Sequence, residues 1–196
     1  MTTSAGLRLG IAHHLGWAVA VTASADHVVV DRRRMELIEP GLPNAPIHHE
    51  GGPHLLHRQG EPLEDDALAA LVAKVRASVV RATSAALDDL AEALPEPIVS
   101  MSLRAVPADF PTEIAVQRRV PYESRADSVM YVVVLAELGR RRGWAIHFYD
   151  AKRVEVEAER RLGERTDEVL HGPRAALGPP WTKDHRTALA ATVVII

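Results

Sequence analysis

The chain has 196 residues, of which 47% are hydrophobic and 25% are charged, and its formal net charge is −3 at pH 7. This length suits one domain with a substantial core, and the composition is that of a globular protein rather than a disordered one. The small negative charge excludes a whole-chain attraction to nucleic acid or anionic lipid, so either contact would need a local basic patch. The absence of cysteine excludes disulfides, thiolate nucleophiles and zinc ribbons.

Neither a membrane span nor a targeting segment is indicated. The longest apolar runs, such as residues 129–135, fall well short of the roughly 18 residues that cross a bilayer. The start, MTTSAG, lacks the basic and then apolar pattern of a signal peptide. We therefore expect a soluble protein in the cytoplasm.

The first part of the chain predicts three strands, at residues 7–12, 16–23 and 28–37. These runs are apolar or alternating, and the short segments HHLG and SADH separate them, which indicates two hairpins. The third run contains DRRRMEL, whose charges are typical of an edge strand that resists pairing with other chains.

Residues 39–63 predict a long irregular loop, because proline and glycine recur throughout without a regular period. Several side chains in this loop could donate to a metal ion, although their spacing is not that of an established metal motif. They are His48, His49, Glu50, His54 and His57. The alternative, which we favour, is a polar loop with solvent-exposed histidines.

The rest of the chain predicts alternating helices and strands. Helical spacing, prolines and glycines place the helices at 64–94, 124–142, 151–162 and 183–195 and the strands at 98–105 and 144–149. The run VMYVVVLAEL is so apolar that we expect the second of these helices to be buried on most sides. Residues 163–180 form a connector.

This order of elements, βββαβαβα, predicts an α/β domain that occupies residues 1–196. Right-handed crossovers place the later strands parallel to the first, which gives a five-stranded mixed sheet flanked by helices. The topology is that of the ribonuclease-H-like fold. Signatures of other α/β proteins are absent, because the chain has no GxxxxGK[ST], GxGxxG, GxSxG or HExxH motif.

Several segments resemble the RuvC-type Holliday-junction resolvases within that fold. RLGIAHHLGWAVAV is similar to their opening strand and hairpin, and PEPIVSMS is similar to their fourth strand. LAELGRRRGWAIHFYDAKRVEVEAERRLG resembles the next helix, strand and helix, and KDHRTALAATVVI resembles the closing helix. The resemblance implies a nuclease architecture in which carboxylates hold two divalent metals about 4 Å apart.

The positions of those carboxylates differ in this chain. Where the resemblance expects an aspartate on the first strand and a glutamate on the fourth, the chain has Ala12 and Ser102, and only Asp184 remains on the closing helix. One carboxylate holds two hard cations poorly. We therefore expect a degenerate active site, in a non-catalytic domain that binds a ligand or a protein partner through the former cleft.

An enzyme with a rebuilt site is the alternative. Alternation places His14 on the same face of the first strand as Ala12, and the resemblance brings Asp184 and His185 to the same cleft. Imidazole and carboxylate groups are common zinc ligands, so these three residues could hold one divalent metal in a phosphodiester hydrolase. A polar pocket without a metal is the other interpretation. An actin-like or sugar-kinase-like relative is disfavoured, because those proteins duplicate the domain.

Ser102 and Arg104 are the candidate ligand-binding residues of the fourth strand, because alternation puts them on one face. A guanidinium in the cleft could bind an anionic ligand through charge-assisted hydrogen bonds. A salt bridge from Arg104 to a buried acid is the alternative. The ligand or partner and the oligomeric state are left open by the sequence.

Overall fold

The structure, a computed structural model, describes residues 6–53 and 60–195. Five strands form one sheet in the order β3-β2-β1-β4-β5. The strands are β1 (Leu7–His13), β2 (Trp17–Ala23), β3 (Val29–Glu36), β4 (Ile98–Arg104) and β5 (Ala145–Tyr149). The two hairpin pairings are antiparallel, whereas β4 is parallel to β1 and to β5. The predicted mixed sheet with a charged edge strand is confirmed, and β1 is its central strand.

Helices cover both faces of the sheet. They are α1 (Asp65–Ala93), α2 (Ile114–Gln117), α3 (Glu123–Arg141), α4 (Val154–Leu162), α5 (Pro173–Leu177) and α6 (Lys183–Val193). Short helical turns occupy Gly163–Arg165 and Asp167–His171, within the segment predicted as a connector. No helix in the described part of the chain is both long and apolar enough to cross a membrane.

The two faces of the sheet bury different kinds of side chain. Leu9 and Ile11 of β1 pack with α1 and α3, whereas Ala12 and Val19 pack with the alanine-rich helix α6. Helix α6 lies unusually close to the sheet, because a Cβ built on Gly10 would lie 1.8 Å from the carbonyl oxygen of Ala188 in α6. Glycine and alanine at this contact therefore set how near the start of α6 comes to the end of β1.

The histidine-rich loop is more ordered than its sequence indicates where it is described. Ile47–Gly51 forms a π-helical turn. Asp127 of α3 holds this turn, because its carboxylate accepts hydrogen bonds from the backbone N–H groups of Ile47 at 3.1 Å and His48 at 2.9 Å. The proline and glycine pattern could not indicate this tether, since its acceptor lies about 80 residues along the chain.

The carboxyl group of Asp127 gives a testable pH dependence. It is buried, and burial raises its pKa from the ordinary 3.8 to about 6, against the opposing effect of the two backbone donors. Because the folded state holds its proton more tightly than the unfolded state, this group should cost stability as the pH rises from about 4 to about 6, by about 3 kcal/mol. Across that range the free energy of unfolding of the native protein, measured in urea, should fall relative to that of Asp127→Asn as the pH rises, and the same slope in both proteins would contradict this assignment.

The apolar run of α3 is buried on most sides, as its sequence predicts, and Val133 is an exception. Tyr131, Val132, Val134 and Leu135 are buried, whereas Val133 is 38% exposed. An apolar groove of about 670 Å³ lies between the outer face of α3 and the segment that follows β4. It is lined by Val129, Met130 and Val133 of the helix. An apolar helix is thus left partly uncovered.

Candidate functional site

The candidate site lies where the carboxyl ends of β1 and β4 meet the start of α6. His14 follows β1 directly, and Asp184 lies in the first turn of α6, where a negative charge suits the helix dipole. Their side chains meet, with 3.1 Å between Nε2 of His14 and Oδ2 of Asp184. Both are partly exposed, so the pair is open to solvent at the mouth of the cleft.

Trp17 positions the imidazole of His14. The two rings stack with their centroids 4.1 Å apart and their planes 11° from parallel. The guanidinium of Arg34 lies 4.0 Å from the centroid of the Trp17 ring, within cation–π distance. A cavity of about 450 Å³ opens beside Trp17, Arg34 and Asp184, so an aromatic surface and both signs of charge are available to a ligand there.

His185 is engaged within its own helix. Its Nδ1 accepts a hydrogen bond from the backbone N–H of Thr182 at 3.2 Å and lies 2.8 Å from the Thr182 hydroxyl, which closes a capping box at the start of α6. The ring is buried beside Trp181, and burial lowers its pKa. The structure therefore brings His14 and Asp184 into contact and gives the Nδ1 of His185 a separate role.

Metal ligation was the sequence-based hypothesis for these residues and for the histidine-rich loop. Among residues 6–53 and 60–195, no three His, Asp or Glu side chains are grouped so that they could hold one metal ion. His48 and His49 lie on the π-helical turn with their rings 5.5 Å apart. His54 and His57 fall outside the described residues.

Ser102 and Arg104 lie on the same face of β4, as alternation predicts. Ser102 pairs with Gly10 of β1. Its hydroxyl is buried and has no hydrogen-bond partner among residues 6–53 and 60–195, and the Nε of Arg104 likewise has none there. Arg104 makes no ion pair with any described residue, so the expected alternative of a structural salt bridge is not seen in this part of the chain.

Tyr149 of β5 is buried within electrostatic reach of both Arg104 and Asp184. Its hydroxyl donates a hydrogen bond of 2.8 Å to the carbonyl oxygen of Ile11. Burial raises its pKa to about 12, with opposing influences from the charges of Arg104 and Asp184. Tyr149 is thus a neutral donor that fixes the end of β1, a role that sequence analysis missed because the two residues are 138 positions apart.

His13 is a second residue that sequence analysis missed. Alternation turns it to the face opposite His14, where it is 2% exposed and its Nε2 lies 3.0 Å from the hydroxyl of Ser128 in α3. Burial, and then the charges of Arg104 and His14, lower its pKa to about 3. A histidine and serine in contact resemble a base and its nucleophile, but so acidic an imidazolium makes the neutral ring a weak general base.

The contact between His14 and Asp184 should contribute little to stability. Exposed ion pairs contribute about 0–1 kcal/mol, because solvent screens the charges and ordering the side chains costs entropy. We therefore expect His14→Ala and Asp184→Asn each to change the free energy of unfolding by no more than about 1 kcal/mol. Urea titrations of both variants and of the double variant test this, and a much larger coupling energy would show a buried, structural pair instead.

No protein-family model and no curated protein matches this chain. Among solved structures, it is similar to T. thermophilus RuvC in complex with a Holliday junction substrate, with 10% sequence identity and a TM-score of 0.50. The alignment covers 96% of this chain and 90% of that chain. At this identity the similarity concerns the fold, and it confirms the predicted class. The chain has a ribonuclease-H-like α/β fold, with a five-stranded mixed sheet flanked by helices.

Proposed function

We propose that this chain is a non-catalytic ribonuclease-H-like domain that binds a ligand or protein partner through the cleft between β1, β4 and α6. The contacts of Asp184 are the main observation that supports this proposal. Where the resolvase resemblance expects several carboxylates, Asp184 contacts His14, and the cation Arg104 lies near the same cleft floor. A pair of divalent metals needs several oxygen ligands, and this arrangement offers them one carboxylate already bound to an imidazole.

Two buried polar atoms support binding at this cleft. Buried hydroxyl and guanidinium groups nearly always have hydrogen-bond partners, because a buried polar group without a partner lowers the free energy of unfolding by about 1–3 kcal/mol. The hydroxyl of Ser102 and the Nε of Arg104 have none among the described residues. An oxygen atom of a ligand that reached either donor would satisfy it, which favours a polar or anionic ligand over a purely apolar one.

Replacing Ser102 tests this interpretation without knowledge of the ligand. If its hydroxyl is kept for a ligand, Ser102→Ala should leave the unliganded protein as stable or raise its free energy of unfolding by about 1 kcal/mol. Ser78 is a matched control, because it is also a buried serine but accepts a hydrogen bond from the backbone N–H of Glu39 at 3.0 Å. Ser78→Ala should therefore destabilise, and an equal loss in both variants would argue against the proposal.

Nuclease assays test the absence of catalysis. With Mg²⁺ or Mn²⁺ supplied, we expect no cleavage of RNA–DNA hybrids or branched DNA above a buffer control, because the carboxylates that position two metals are missing. Asp167→Asn, a loss of one carboxylate outside the cleft, is the control for Asp184→Asn. Turnover that Asp184→Asn abolishes and Asp167→Asn leaves intact would overturn the proposal.

The contact between His14 and Asp184 supports a second candidate function, that of a hydrolase with one metal ion. Both side chains are ligand types for zinc, and they are already adjacent. Recruiting His185 through Nδ1 would require it to leave Thr182. Zinc should then raise the melting temperature by mass action, and His14→Ala should abolish the rise. A melting temperature that zinc leaves unchanged would remove this candidate.

A further inference from the structure

A second cavity lies at the carboxyl edge of β4 and β5, beside the start of α3. It measures about 670 Å³, within the range of small-molecule sites. Three cations, Arg104, Arg125 and Lys152, line it together with the hydroxyl-bearing Ser124 and Ser128. Arg104 is the one residue that it shares with the proposed cleft.

The charge of this cavity is unbalanced. Arg104, Arg125 and Lys152 make no ion pair within the described residues. The lining has one carboxylate, Asp150, and that group accepts a hydrogen bond from the backbone N–H of Lys152 at 2.8 Å. Converging positive charges raise the electrostatic energy of an empty cavity and lower that of an anion inside it.

An apolar groove adjoins the cationic cavity. The groove on the outer face of α3 shares Val129 and the segment 105–107 with it as a common wall. Two large apolar side chains in the groove face solvent, with Val133 38% and Phe148 48% exposed. Covering both with a ligand would remove apolar surface from water at the side of a site for negative charge.

We propose that the cationic cavity and the apolar groove together bind a free amphiphile with one anionic head group and an apolar chain. The head, a carboxylate or phosphate, lies between Arg104, Arg125 and Lys152, and the chain lies along α3 against Val133 and Phe148. Charge complementarity selects the head and the adjoining groove selects the chain. The site shares Arg104 with the proposed cleft, so its test changes Arg125, Lys152 and Phe148, which lie outside the cleft.

Calorimetric titration of the full chain tests the site. The probes are decanoate and decyl phosphate below their micelle concentrations, decanol, which lacks the charge, and inorganic phosphate, which lacks the chain. We expect one molecule of either amphiphile to bind per chain, and decanol and phosphate to bind at least about tenfold more weakly. Equal binding of decanol or of phosphate would show that one half of the site plays no part, and would overturn the proposal.

Variants separate the two halves. Arg125→Gln with Lys152→Gln should weaken decanoate about tenfold or more, whereas the matched change Arg160→Gln, of an exposed arginine on α4, should not. Phe148→Ser should weaken decanoate about tenfold with little effect on folding, since the side chain is already half exposed. Urea midpoints verify that each variant is folded. Unchanged affinity in either variant, or sedimentation with anionic vesicles without binding of monomeric decanoate, would overturn the proposal.

Discussion

Gly10→Ala should lower the free energy of unfolding by about 3 kcal/mol or more, because the added methyl group has no space. Its Cβ would lie 1.8 Å from the carbonyl oxygen of Ala188 and 2.7 Å from the carbonyl carbon. Both atoms belong to the backbone of α6, so the whole helix would have to move away from β1. Urea unfolding measures the loss.

Gly139→Ala is the matched control for this substitution. A Cβ at Gly139 also meets neighbours, at 2.5 Å from Cε of Met101 and 2.7 Å from Cδ1 of Ile146, but these are the flexible ends of side chains. Alanine also favours a helix interior over glycine by about 1 kcal/mol, which offsets part of the crowding. We expect a clearly smaller loss than at Gly10, and equal losses would contradict the distinction between rigid and flexible neighbours.

Acid should destabilise the protein through His13. Its pKa is about 3 in the folded state, against an ordinary value of 6.5, because burial and the nearby Arg104 oppose the charged ring. The stability that follows from a neutral His13 is therefore complete above about pH 6.5 and is lost as the pH falls toward 3. At 1.36 kcal/mol per pKa unit the loss reaches about 5 kcal/mol.

His13→Gln isolates this effect, because glutamine can still contact Ser128 but does not titrate. Urea unfolding at several pH values between about 7 and about 4 should show a flatter acid loss in this variant than in the native protein. Asp127→Asn should make the loss of stability in acid steeper, since Asp127 gains a proton on folding in this range and so offsets part of that loss in the native protein. Parallel curves for the native protein and His13→Gln would show that the imidazole is not buried as the structure describes.

Much of the fold could be predicted because its signals are local. Alternation and strand length indicated all five strands, and helical spacing indicated α1, α3 and α6. The exposure of Val133 on α3 could not be predicted, since it depends on how the residues after β4 pass over the helix, and those residues have no period. The apolar run indicates a buried helix, but it does not indicate which of its side chains stays 38% exposed.

The site was only partly predictable for a related reason. The resemblance predicted that His14 and Asp184 lie in one cleft. The roles of the neutral His13 and of the donor Tyr149 depend instead on contacts with residues 115 and 138 positions away in the chain. Ser102 pairs with Gly10 of β1, and the sequence of the two strands does not indicate which of their residues lie opposite each other. A single sequence carries no signal for these long-range relations.

The packing of α6 on the central strands has a consequence for synthesis on the ribosome. His14 and Asp184 are separated by 170 residues, so at about 5–20 residues per second roughly ten to thirty seconds pass between their translation. During that interval the apolar face of β1 and β2 lacks its native cover. A nascent chain in this state is open to wrong pairing and to chaperones. Slow codons before α6 should therefore lower the soluble yield without changing the stability of the finished protein.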